Sequence, residues 1–336
     1  MSTSSSVRVS CLGFVFDPVA QKIVEDVTPP GFTLAFAERA DQVTDAMLQH
    51  SDIIMGVAAV TDDMMVRAPR LRLIQKWGAG YDQIDVNAAE RHGIAVAITA
   101  GVNANTIGEH AILLMLAVLR RTILADRAFR EGRWITGELR PQSRKLYGKT
   151  VGIVGFGNIG RAVARYLRGF ETRTLCSSRT KPDDETLPAL GVTHVPFEQL
   201  LAESDVVTLH CPGGAANRHM IDKGAIAKMK RGAVLINTAR GELIVEDDMV
   251  DALQSGQLSG AGLDVFAQEP LRPESRLRAL DNVVLTPHAA GSVMDDVGLM
   301  ARHAFENIQC FLRGEPIRPA DLIVDPKAPR TAAHQS

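Results

Sequence analysis

Three short stretches of this 336-residue chain place an arginine, an acid and a histidine in settings suited to chemistry. They read Asn237-Thr238-Ala239-Arg240-Gly241-Glu242, Asp264-Val265-Phe266-Ala267-Gln268-Glu269-Pro270 and Thr286-Pro287-His288-Ala289-Ala290-Gly291. Each follows an apolar run that reads as a strand, so all three can converge on one edge of a parallel sheet. Arg240 offers a planar fork for a carboxylate. His288 can give a proton to a carbonyl oxygen, and Glu269 can hold the imidazole and favour its protonated form. A histidine with the ordinary pKa of about 6.5 is largely neutral near pH 7, so the acid matters: it moves the ring toward the donor form. In the opposite direction the neutral ring takes a hydroxyl proton. Together the three groups suit hydride transfer to a 2-oxo acid. Singly they read as a surface cation, a loop acid and a structural histidine; their common position at strand ends makes them a set. Asp264 reads as a holder of cofactor or backbone groups.

The element that gives these strand ends a partner is the stretch from Thr150 to Arg179. An apolar run, Val151 to Val154, passes into Gly155-Phe156-Gly157-Asn158-Ile159-Gly160. A helical pattern follows with Ile159, Val163, Leu167 and Phe170 on one face, and a second strand ends near Ser177. Strand, glycine turn, helix and strand form the context in which G-x-G-x-x-G signifies a dinucleotide site. Gly155 permits the tight turn, Gly157 lets a pyrophosphate approach the backbone, and Gly160 lets the helix pack on the strand. The helix N-terminus supplies free N–H groups and a positive dipole end.

The remainder of the chain supplies the frame. Strand-like runs at Val7–Leu12, Thr33–Phe36, Ile53–Met55, Leu71–Trp77 and Ile94–Ala97 alternate with helical patterns, predicting a small parallel α/β domain. At the end of its fourth strand, Trp77-Gly78-Ala79-Gly80 forms a turn where successive N–H groups can make an anion nest. Asn103 to Arg121 reads as one long, nearly all-apolar helix, capped by Asn105 or Thr106 and closed by Arg120 and Arg121. Thr122 to Lys149 reads as an extended excursion. Further strands at Val206–His210, Ala233–Asn237, Gly262–Val265 and Val283–Thr286 complete a six-stranded dinucleotide-binding sheet. The helical pattern Val293 to Leu312 is expected to return to the first domain.

The expected fold class is therefore α/β, with two doubly wound parallel-sheet domains. A Rossmann cofactor domain, residues 103–290, is inserted into a flavodoxin-like substrate domain, residues 1–102 plus 291–326, with a tail at 327–336. A formal charge of -2 carries no basic surplus, which argues against nucleic acid or an anionic membrane as partner. The start, MSTSSSVRVS, reads as a short disordered lead without a signal segment, and Ala111–Leu119 is too short to span a bilayer. A cytoplasmic protein is expected. Cys11, Cys176, Cys211 and Cys310 lack metal-ligand spacing and read as reduced thiols, with no metal site.

The sequence resembles the D-isomer-specific 2-hydroxyacid dehydrogenase family, from about Arg8 to Pro326. The resemblance rests on GFGNIG, NTARGELI around Arg240, LDVFAQEP around Glu269 and TPHAAG around His288, with KWGAGYDQID and NANTIGEHAILLMLAVLRR in support. It implies Arg240, Glu269 and His288 as the catalytic residues. A substrate carboxylate would be bound by Arg240 and by the loop Gly78, Ala79 and Gly80. A homodimer would form through the cofactor domains. Cofactor contacts are implied for Thr106, the turn 155–160, Ser177, Ser178, Arg179, Thr180, His210, Cys211, Pro212, Thr238, Ala239, Arg240, Asp264, His288, Ala290 and Gly291. Family members that prefer NAD carry an acid at the end of the second strand, where this chain reads Ser177-Ser178-Arg179-Thr180-Lys181. Arg179 and the hydroxyls suit a 2′-phosphate, so NADP(H) is the expected cofactor, with NAD(H) possible. Glu269 disfavours formate, and the apolar run Met55–Val60 favours a compact substrate of the glyoxylate or hydroxypyruvate type. The rival reading is a dinucleotide-sensing, corepressor-like binding protein on the same fold.

Overall fold

The computed structural model describes residues 6–13, 18–183 and 185–330. The lead expected before Val7 falls largely, and the end of the tail wholly, outside the described residues. The chain divides into two compact units, Met1–Asn103 with Val293–Ser336, and Ala104–Ser292. Each is an α/β layer structure built on one sheet, the class anticipated.

The first unit contains β1 (Val7–Leu12), β2 (Phe32–Ala37), β3 (Ile53–Gly56), β4 (Leu73–Lys76), β5 (Ala95–Ala97) and, in the second unit's wake, β13 (Leu322–Val324). Their order is β13-β5-β4-β3-β1-β2, so the flavodoxin-like arrangement is extended by one strand. β13 pairs antiparallel with β5, at the end of the expected substrate domain, where the sequence predicted no strand. On one face of the sheet, Val9, Cys11, Ile53, Met55 and Leu73 pack with Ala301, Ala304, Phe305 and Ile308 of the helix Met294–Arg313. On the other, Leu12, Ile54 and Ile74 pack with Leu48, Met65 and Ile84. With helices on both faces, the strands read as continuous apolar runs.

The second unit contains β6 (Thr150–Val154), β7 (Arg173–Ser177), β8 (Val192–His194), β9 (Val206–Leu209), β10 (Ala233–Asn237), β11 (Leu258–Leu263) and β12 (Val283–Leu285). All are parallel, in the order β12-β11-β10-β9-β6-β7-β8. The sheet has seven strands where six were expected; the addition is β8, which takes the third-strand place of a Rossmann sheet. The long helix is Ala104–Leu119, burying Ala111, Leu114, Met115 and Val118. Asn105 and Thr106 lie inside its first turn, so neither is its cap. It ends where Arg121 adopts a left-handed φ of 53°, and the expected excursion forms the helices Thr122–Arg130 and Thr136–Leu139. The four cysteines are free, Cys11 and Cys176 buried and Cys211 and Cys310 half-buried.

Candidate active site

The glycine turn joins β6 to the helix Asn158–Leu167. Gly155 has φ +92°, and a Cβ there would stand 2.6 Å from the Cys211 nitrogen and from the His210 carbonyl carbon. Only glycine meets both demands. Its N–H donates to the Ser177 carbonyl at 2.8 Å, tying the turn to the end of β7. A Cβ on Gly160 would lie 2.3 Å from the Gly155 carbonyl oxygen, so helix and strand touch there. Gly157 has nothing within 4 Å of the same position. The residues thus fit a pyrophosphate: an open cradle at Gly157 faces the free N–H groups of a helix N-terminus. Phe156 is buried in the core, leaving its backbone alone for a ligand, while Asn158 is exposed and Ile159 packs against that core.

Beyond β7, Ser178 Oγ donates to the Thr180 carbonyl at 2.8 Å, and Arg179 is exposed. Beyond β9, His210 lies between Thr208 Oγ1 at 2.9 Å and Thr238 Oγ1 at 3.5 Å. Burial pushes its pKa down to about 3, so the ring is neutral. The Pro212 carbonyl accepts from Asn217.

The three strand ends carry the ionisable groups. His288 Nδ1 lies 2.7 Å from Glu269 Oε2, and Glu269 Oε1 accepts from the Phe266 N–H at 3.0 Å. An ionised carboxylate only accepts, so Nδ1 holds the proton and Nε2 is left for chemistry. The Glu269 hydrogen bond raises the His288 pKa above its ordinary value, against the opposing effect of burial. Burial would raise the Glu269 pKa, but the hydrogen bonds from His288 and Phe266 outweigh it and the net shift is downward. The Arg240 charge is felt by both groups. Arg240 is half-buried, and its Nη1 donates to the Ala239 carbonyl at 2.6 Å. The approach of the two loops is close: a Cβ on Gly241 would stand 1.9 Å from the Phe266 carbonyl carbon. The structure therefore brings Arg240, Glu269 and His288 together as expected from their strand-end positions.

In the first unit, Gly78, Ala79 and Gly80 follow β4. The Gly78 N–H donates to Thr99 Oγ1 at 2.7 Å, so the N–H donors of this loop are those of Ala79 and Gly80, as expected for a substrate carboxylate. Among the described residues, the Ala79 and Gly80 N–H groups have no acceptor. Among the described residues, too, no helix is long and apolar enough to cross a membrane, and no three His, Cys, Asp or Glu side chains gather as metal ligands.

A family profile described as D-isomer specific 2-hydroxyacid dehydrogenase, NAD binding domain, matches residues 112–290, more than half of the chain. The chain belongs to the D-isomer-specific 2-hydroxyacid dehydrogenases. This dehydrogenase is 42% identical over 265 residues to a glyoxylate reductase of Korarchaeum cryptofilum, covering 77% of this chain and 80% of that one. It is 38% identical over 245 residues to a hydroxypyruvate reductase of Thermotoga maritima, covering 72% and 78%. Among solved structures it resembles a Granulicella formate dehydrogenase with TM-score 0.85 and 26% identity over 98% of this chain and 100% of that one. A Staphylococcus aureus NAD-dependent formate dehydrogenase in complex with NAD gives 0.82 and 26%, over 95% and 99%.

Two residues of this dehydrogenase's site escaped the sequence reading. Asp264 is fully buried and accepts from Thr286 Oγ1 at 2.6 Å, Ala289 N–H at 2.8 Å and Ala290 N–H at 2.9 Å, while its carbonyl receives the His288 N–H at 2.8 Å. It is thus engaged by the backbone of the histidine loop, the second of the two roles expected of it. Because Thr286 donates to a carboxylate, its oxygen receives His110 Nε2–H at 3.0 Å. His110 and Thr286 are therefore part of the scaffold that holds His288 at its left-handed φ of 53°. The sequence signal for His110 was faint, a histidine beside Glu109 at the edge of an apolar run.

Proposed function

We propose that this dehydrogenase reduces a small 2-oxo acid to the D-2-hydroxy acid with a reduced nicotinamide dinucleotide, glyoxylate and hydroxypyruvate being favoured. The observation that carries this reading is the 2.7 Å pair of His288 Nδ1 and Glu269 beside Arg240. It is a proton donor kept in its donor form next to a cation able to hold a carboxylate. When bound, the dinucleotide supplies the hydride from its nicotinamide C4. His288 delivers the proton from Nε2 to the substrate's carbonyl oxygen, and Glu269 holds Nδ1–H throughout, stabilising the imidazolium before transfer. Arg240 pairs with the carboxylate by charge-assisted hydrogen bonds. In the reverse direction neutral His288 takes the hydroxyl proton.

On this reading Ala104–Ser292 is the cofactor domain and the first unit the substrate domain, where the Ala79 and Gly80 N–H groups offer carboxylate donors. Thr106, Cys211, Thr238, Ala239, Ala290 and Gly291 are assigned to the cofactor's surroundings with the glycine turn. The relatives named glyoxylate reductase and hydroxypyruvate reductase support the substrate class. So do the small apolar residues Val57, Ala58 and Ala59 after β3. We assign NADPH as the preferred cofactor because Arg179 is exposed at the end of β7 beside Ser178 and no acid stands among residues 177–181. A homodimer through the cofactor domains is supported by the exposed Leu113, Phe129 and Trp134 of that unit.

The test is loss of NADPH absorbance with glyoxylate, hydroxypyruvate and phenylpyruvate. Turnover of the first two, with higher kcat/KM for NADPH than NADH, is expected. Equal or better use of NADH would remove the cofactor assignment. Tight nucleotide binding without turnover of any 2-oxo acid would replace the enzyme by a dinucleotide sensor, and a monomer in light scattering would remove the dimer.

A further inference from the structure

Gly78 has φ +102°, and a Cβ built on it would meet nothing within 4 Å. Packing at that position therefore does not hold Gly78 in place. Thr99 does, twice: it accepts the Gly78 N–H at Oγ1, 2.7 Å away, and donates its own N–H to the Gly78 carbonyl at 3.1 Å. Thr99 is fully buried, and its hydroxyl donates to Met300 Sδ at 3.7 Å. With the proton directed at sulfur, the oxygen lone pair is what meets Gly78. The residues on either side of Thr99 are fixed as well. The Ile98 N–H donates to the Asp321 carbonyl at 2.8 Å, the Ile98 carbonyl accepts from Asn307 at 3.0 Å, and the Ala100 N–H donates to Asp321 Oδ1 at 2.9 Å. Thr99 is thus an immobile post, and one N–H of the Gly78-Ala79-Gly80 run is bound to it. The next two N–H groups have no acceptor among the described residues.

We propose that Thr99 is a positioning residue for the substrate carboxylate: by holding Gly78 on both its N–H and its carbonyl, it presents the Ala79 and Gly80 N–H groups as an anion-holding pair. The proposal rests on the reading of the chain as a 2-oxo acid reductase and deepens its substrate side. Thr99 itself touches no reactant. Its loss should weaken carboxylate binding while leaving proton transfer and nucleotide binding intact.

Thr99→Val keeps the shape and removes the acceptor. The KM for glyoxylate should rise about tenfold, as expected for one misdirected hydrogen-bonding group, with kcat and NADPH affinity nearly unchanged. Thr99→Ser should restore KM. Met300→Leu, which frees the Thr99 hydroxyl to rotate, should give a smaller rise in the same direction and serves if Thr99→Val does not fold. Calorimetric binding of oxalate, an unreactive dicarboxylate, reads the same loop without turnover and should weaken in parallel. Unchanged KM and oxalate affinity in Thr99→Val, failure of Thr99→Ser to rescue, or absence of oxalate binding by the wild type would overturn the proposal. Oxalate binding that weakens in Thr99→Val, in a protein that turns over no 2-oxo acid, would uphold the positioning role while the reductase reading falls.

Discussion

Two glycine-bearing loops follow parallel strands in the two units, and they are held by opposite means. In the turn after β6, Gly155 and Gly160 are demanded by surrounding backbone, the His210–Cys211 peptide on one side and the turn's own carbonyl on the other. In the loop after β4, Gly78 borders open space, and its shape depends on an unusual φ and one threonine. A turn fixed by backbone on several sides cannot be adjusted without moving a neighbouring strand. A glycine placed by one threonine, through its hydroxyl and its own N–H, is open to retuning by a single substitution. That division suits a scaffold whose nucleotide site is common property while its substrates differ, as the names of its relatives do.

The comparison can be broken or sharpened by substitution on each side. The largest effect belongs to the chemistry on the second unit. His288→Gln should lower the rate of 2-oxo acid reduction by roughly 10²–10⁴ and leave NADPH affinity, measured by fluorescence titration, nearly unchanged. Activity retained by this variant would mean another proton donor. Gly155→Ala tests the packed turn: strain of about 1–3 kcal/mol for a non-glycine residue in this region, added to the contact with His210 and Cys211, should weaken NADPH binding by roughly 100-fold. Tight binding by this variant would end the claim that packing dictates the turn.

Glu269→Gln has a smaller effect at neutral pH and a clear sign. Glu269 raises the His288 pKa, so the donor form now persists to higher pH; without the acid, the pH above which reduction fails should move down. An unshifted kcat/KM profile would show that the pair does not set the proton supply. Gly78→Ala carries the same backbone strain at φ +102° but lacks the contacts that a Cβ on Gly155 would meet, so its effect should be smaller than that of Gly155→Ala: a raised KM for the 2-oxo acid, at constant NADPH affinity, read from steady-state kinetics. A loss as severe as that of Gly155→Ala would erase the contrast between the loops.

Much of this arrangement was legible in the sequence because it depends on local chemistry. Apolar runs alternating with helical spacing gave both sheets, and Gly155, Gly157 and Gly160 each find the steric circumstance their spacing implied. Arg240, Glu269 and His288 were legible because each sits directly after a strand. What could not be read depends on contacts distant in sequence. β8 and β13 are edge strands, and they exist because a neighbouring strand pairs with them. The end of the long helix near Arg121 was legible, but the left-handed φ of 53° at that arginine was not. That the Gly78 N–H is engaged could not be read, because its partner, Thr99, lies just beyond β5, 21 residues along the chain. His110 joins the site through Thr286 and Asp264, both far along the chain.

The return of the helix Met294–Arg313 to the first unit has a consequence during synthesis. The sheet face formed by Val9, Cys11, Ile53, Met55 and Leu73 is complete once residue 103 has left the ribosome, yet the helix that covers it follows residues 104–292. At translation rates of about 5–20 residues per second, that greasy face waits roughly 10–40 s for its lid. The inserted unit is contiguous and can fold in the interval. The nascent first unit is therefore the stage at which this chain is most open to aggregation, and where a chaperone has the most to do.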